Sequence, residues 1–64
     1  MGYTNSQMKA AIAEHIHVSW QREAMLLRFC DGMTYEQIAE KMGYSTQYIK
    51  QITKKNRDIL FANL

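Results

Sequence analysis

The sequence predicts an all-α fold, and three observations carry that expectation. No proline and only three glycines occur in the 64 residues, so the strongest helix breakers are nearly missing. The pattern Thr-x-x-Gln appears at Thr4–Gln7 and again at Thr34–Gln37. Each is a capping box, in which side chains satisfy free backbone N–H groups at a helix start. Apolar residues then recur at three- and four-residue spacing behind each box. The reading is one domain over residues 1–64, built of four helices, the last of them long.

Helix 1 follows Thr4, with Tyr3 and Met8 at the two positions of a hydrophobic staple, and Met1 to Tyr3 are expected to fray. Met8, Ala11, Ile12, His15 and Ile16 form one apolar stripe that carries the helix to about His17. His15 lies in that stripe and His17 lies off it. Two residues apart on a helix, the imidazoles diverge by about 200° and do not share a metal. One half-buried and one solvent histidine is the ordinary reading.

Val18 and Ser19 form a short break, and Ser19 is expected to cap helix 2, from Trp20 to about Asp31. This helix is apolar nearly all round. Trp20, Ala24, Leu27 and Cys30 make one face, while Met25, Leu26 and Phe29 make others, and Arg22 and Arg28 keep short polar strips wet. A helix of this kind needs neighbours on more than one side, so it is predicted to be the central element. Asp31-Gly32 supplies the turn that ends it.

Helix 3 runs from Tyr35 to Met42 behind the Thr34 cap, with Met33 and Ile38 as its staple. Gly43 stops it, because glycine takes the left-handed C-terminal conformation without steric cost. Ser45 caps helix 4, with Tyr44 and Ile49 as a second staple, and no breaker follows to the C-terminus. Ile49 and Ile52 are expected to face Ile38 and Met42, and small Ala39 marks where helices 3 and 4 approach closely. Ile49, Ile52, Ile59 and Leu60 continue an apolar stripe that Asn56 interrupts. The tail either packs on helix 1 or exposes Phe61 and Leu64. Two short helices joined by a sharp turn over about 34–55 make a helix-turn-helix, whose second helix offers its polar face to a DNA major groove.

The charge distribution agrees. Residues 1–40 hold three basic groups against five acidic ones, a balance of −2, while residues 41–64 hold five basic groups against Asp58 alone, a balance of +4. A solvated basic face is the bland account; beside the motif, it is the electrostatic footprint of a DNA binder. Ser45, Thr46 and Gln47 form the first turn of helix 4, and Lys50, Gln51 and Lys54 continue its outward face. Gln47 and Gln51 suit adenine's N6/N7 edge, and Lys50 suits guanine or a phosphate. Thr46 offers a methyl or a hydroxyl, and Tyr48 a groove-wall or phosphate contact. Lys54, Lys55 and Arg57 are placed for the sugar–phosphate backbone. Thr34 and Tyr35, at the positive end of helix 3, are candidates for a phosphate, with capping and packing as the plainer roles.

Counted from Tyr35, the small residue falls fifth (Ala39), glycine ninth (Gly43), and apolar residues at four, eight, fifteen and eighteen (Ile38, Met42, Ile49, Ile52). An aromatic, Tyr44, holds the tenth place, where an aliphatic residue is usual. The wider string REAMLLRFCDGMTYEQIAEKMGYSTQYIKQI resembles region 4 of sigma-70-type sigma factors, with a lesser likeness to LuxR-type C-terminal domains. The resemblance covers roughly residues 8 to 60. It implies a four-helix orthogonal helix-turn-helix domain with a long C-terminal recognition helix over about 46–57. It also implies promoter-type reading by Thr46, Gln47, Lys50 and Gln51, and an arginine near the start of helix 2, here Arg22, on the DNA backbone.

Sixty-four residues leave no room for a promoter-opening region. The expectation is therefore a small stand-alone transcriptional regulator, of phage or mobile-element type, binding double-stranded DNA. Exposed apolar residues near the C-terminus lead to the expectation of a homodimer through helix 4. The alternative is a sigma-like protein-interaction module that binds RNA polymerase or another regulator without touching DNA. Nothing points to catalysis, a cofactor or a metal: there is no Gly-rich phosphate loop, and Cys30 with two histidines falls short of a zinc site. With no apolar run near about 18 residues and no signal peptide, a cytoplasmic protein without membrane contact is expected.

Overall fold

The computed structural model describes residues 4–63 and forms four helices: α1 (Asn5–His15), α2 (Ser19–Phe29), α3 (Tyr35–Met42) and α4 (Thr46–Asn63). There is no strand among the described residues. The all-α expectation and the long C-terminal helix are both observed. The proposed staple at Tyr3, the fraying of the first three residues and the exposure of Leu64 lie outside the described residues.

Both capping boxes form. The Thr4 hydroxyl accepts from Gln7 N at 3.1 Å while Gln7 Oε1 accepts from Thr4 N at 2.9 Å. The pair Thr34 and Gln37 repeats this at 3.1 and 3.0 Å. Helix α2 starts differently from the expectation. Its cap is Val18, with no side-chain hydrogen bond, and Ser19 is already the first helical residue. Ile16 is only 2% exposed and the backbone runs extended at Ile16 and Val18, so docking of Ile16 determines where the chain re-enters a helix.

The two glycine-led turns share one device. At the end of α2, Cys30 N and Asp31 N both donate to Leu26 O at 2.9 and 3.1 Å, and Gly32 takes φ +73°. At the end of α3, Gly43 N and Tyr44 N both donate to Ala39 O at 2.9 and 3.0 Å, with Gly43 at φ +79°. Gly43 is itself a donor, whereas Gly32 follows both donors and Met33 N closes that turn on Leu27 O at 3.0 Å. These bonds satisfy the last carbonyls of each helix. They also end α2 at Phe29, short of the expected Asp31.

Helix α2 touches all three other helices, as expected, but so does α4; α1 and α3 do not meet. Two apolar clusters result. Met8, Ala11, Ile12 and Ile16 of α1 and its end close on Met25 and Leu60. Ala24 and Leu27 of α2 close on Ile38, Ala39 and Ile49. Helix α2 therefore divides its faces as its all-round apolarity requires. Cys30 is the exception to the expected grouping, since it packs on the α1 side. His15 is half-buried and His17 exposed, as the stripe predicts.

The buried stripe of α4 differs from the hydrophobic reading. Ile49, Thr53, Asn56 and Leu60 are the buried positions, while Ile52 is half-buried and Ile59 is 36% exposed. Asn56 does not interrupt the stripe but belongs to it, because its Nδ2 donates to Gln21 Oε1 at 3.1 Å. A partner on another helix makes burial of that amide tolerable, and no pattern within α4 reveals it. Leu60 carries the tail onto α1, while Phe61 is exposed.

Candidate nucleic-acid interface

The turn between α3 and α4 is built from short-range chemistry. Gly43 reverses the chain, and Ser45 Oγ accepts from Tyr48 N at 3.1 Å, which caps α4. The first backbone N–H groups of α4 thereby point toward the open side of the turn. Ile49 is fully buried against Ile38 and Ala39, so the opposite side of α4 must face solvent.

Thr46, Gln47, Lys50, Gln51 and Lys54 line one open concavity on that side. Gln47, Lys50, Gln51 and Lys54 are exposed and Thr46 is half-buried. Five residues singled out for base and phosphate contact therefore share a continuous surface. It carries two amides, two ammonium groups and one hydroxyl, a set able to donate to and accept from base edges and to meet phosphates. Asp58 stands one helical turn beyond Lys54, its side chain 69% exposed, and bounds the cationic stretch.

The other candidates lie apart from this concavity. Lys55 is exposed but does not line it, and half-buried Arg57 has Nε 3.9 Å from Asp58 Oδ1. Ser45 caps. Thr34 is exposed, and its oxygen already accepts the capping bond. Tyr35 packs at the edge of the second cluster, with the Arg28 guanidinium carbon 4.5 Å from its ring centroid. Arg28 also donates to Met33 O at 3.0 Å, so it ties α2 to the start of α3 where a solvated polar strip was expected. Arg22 is half-buried.

Tyr48 is turned away to an aromatic group that the sequence reading did not assemble. Its ring centroid lies 5.8 Å from Trp20 and 5.3 Å from Tyr44. Trp20 and Tyr44 stack at 4.4 Å with 28° between their planes. This answers why an aromatic stands where the motif usually has an aliphatic residue: Tyr44 covers Trp20 from outside, beside the staple position it was assigned. The signal was present in three aromatics at the start of α2, in the turn and in the first turn of α4. Only their convergence in space was hidden.

Among the described residues no group of His, Cys, Asp and Glu could hold a metal ion, and no helix is long and apolar enough to cross a membrane. The family model described as sigma-70, region 4, matches residues 20–60 of the chain. No curated protein and no solved structure matches it.

Proposed function

The chain belongs to the sigma-70 region 4 family of DNA-binding helix-turn-helix domains, and from that premise we propose that it is a small transcriptional regulator reading double-stranded DNA with α4 in the major groove. The observation that carries this is the shared exposed face of Thr46, Gln47, Lys50, Gln51 and Lys54. Gln47, Lys50 and Gln51 supply the base-edge contacts in this reading, and Thr46 with Lys54 grips the flanking backbone. Lys55 and Arg57 add positive charge behind them, and Thr34 and Tyr35 meet a phosphate at the N-terminus of α3. A homodimer through the C-terminal part of α4, where Ile59 and Phe61 are exposed, would present two such helices to paired half-sites.

The test is equilibrium binding to a random duplex pool across a salt series, followed by sequencing of the retained duplexes. Phosphate contacts give a steep fall in log affinity against log salt, and base contacts give an enriched sequence. Absence of both sinks the reading. Half-site spacing in the enriched pool reports the dimer, and a monomer in sedimentation equilibrium together with single, unpaired sites would exclude it.

A second reading has its own support. Sigma-70 region 4 domains also interact with RNA polymerase, and Tyr44 and Tyr48 leave aromatic surface exposed at the start of α4. A protein-interaction module of this kind would bind polymerase with no salt-dependent affinity for duplex DNA.

A further inference from the structure

Helix α4 has two ways to bury apolar surface. The observed orientation buries Ile49, Thr53, Asn56 and Leu60 and leaves Ile59 exposed and Ile52 half-buried. At about 100° per residue, Ile52 and Ile59 lie roughly 40–60° round the helix from Asn56. A rotation of about 60° would take both isoleucines inward, move Leu60 to the edge and turn Thr53 out, with Ile49 still inside. Counted by burial, that rotation brings two isoleucines in for one leucine and frees the unpaired Thr53 hydroxyl, so apolar burial by itself does not select the observed orientation. The polar contact does. A rotation of that size carries atoms at the side-chain radius by about 5 Å, which breaks the 3.1 Å bond from Asn56 Nδ2 to Gln21 Oε1 and leaves two amides short of partners.

The same rotation would swing Gln47, Lys50, Gln51 and Lys54 round the helix by the same angle. We infer that Asn56 and Gln21 are positioning residues: their hydrogen bond sets the rotation of α4 on α2 and thereby selects which side chains meet the bases. A buried polar group that specifies register at some cost in stability is a recognised device, and here buried Asn56 is held by half-buried Gln21. Among the described residues this is the side-chain hydrogen bond that joins α2 to α4, and the Trp20–Tyr48 ring contact at 5.8 Å supports the same orientation nearer the start of α4. The inference rests on the DNA-reading proposal above and names how that reading is aimed.

The experiment uses the full chain and the duplex enriched from the random pool. Affinity for it is compared with affinity for a scrambled duplex of equal length, and the ratio is measured beside the thermal midpoint. Asn56→Leu and Gln21→Leu should each stay folded, and each should lose about tenfold in that ratio, the loss expected when a base contact is misplaced. Exchanging the pair, Gln21→Asn with Asn56→Gln, should recover most of it. A folded leucine variant with wild-type discrimination overturns the inference. Should Asn56→Leu fail to fold, the half-buried Gln21→Leu decides on the same criterion. A wild-type chain with no duplex preference removes the functional reading, and this inference with it. A preference that survives in the variants removes the inference alone.

Discussion

Tyr44 lies stacked on Trp20, ring centroids 4.4 Å apart and planes 28° from parallel, although Tyr44 stands in the turn and Trp20 in the first turn of α2. This contact joins the helix-turn-helix to the helix behind it at the point where α4 begins. Offset aromatic pairs add roughly 0.5–1.5 kcal/mol beyond the area they bury. Replacing Tyr44 with alanine should therefore lower stability by about 1–2 kcal/mol. Trp20 is the only tryptophan, so its emission should move to the red in the folded variant as the ring gains water. Unchanged emission would mean that the stack does not form in solution.

Gly43 holds φ +79°, and a Cβ built there meets nothing within 4 Å. Any cost of substitution is then backbone strain alone. Gly43→Ala should lower the unfolding free energy by about 1–2 kcal/mol, with Gly43→Asn losing less, because asparagine tolerates the left-handed region better. Chemical denaturation of the two variants checks the order.

Ala39 is 3% exposed and packs in the cluster with Ile38 and Ile49. The crossing of α3 and α4 has no space for a longer side chain there. Ala39→Leu should cost on the order of 1–3 kcal/mol through overpacking. A melting curve indistinguishable from wild type would show that the crossing is looser than the structure has it.

The Thr53 hydroxyl is buried at 1% residue exposure and has no hydrogen-bond partner. Valine keeps its shape without the polar atom. Thr53→Val should raise stability by on the order of 1 kcal/mol, since a buried unpaired hydroxyl carries a desolvation penalty. A lower denaturation midpoint would show that the hydroxyl is satisfied in solution.

Lys50 is exposed on the concave face and makes no contact the fold depends on. Lys50→Ala should leave the thermal midpoint in place, weaken duplex binding and reduce the salt slope by about one. Binding that keeps both its strength and its slope would remove α4 as the reading element.

Local chemistry was legible along the chain. Thr4, Thr34, Ser45 and Gly43 act through neighbours no more than five residues away, so their caps and turns could be read one segment at a time. The outward face of Gln47, Lys50, Gln51 and Lys54 followed from the burial of Ile49 and helical spacing. Contacts between distant segments were not legible. Ser19 has capping chemistry and does not cap, because docking of Ile16 determines the path into α2.

By itself, then, the sequence determined the four helices, the ends that a side-chain cap or Gly43 sets, and the family, since those depend on backbone groups and side chains within a turn or two of one another. The ends of α2 were not among them. Only the tertiary structure decided the rotation of α4 and the place of Tyr48. Asn56 is buried because Gln21, 35 residues away, accepts its proton. Tyr48 turns aside because Trp20 is there to meet it. Hydrophobicity counts what a residue avoids, whereas a hydrogen bond or a ring stack depends on what has been brought beside it.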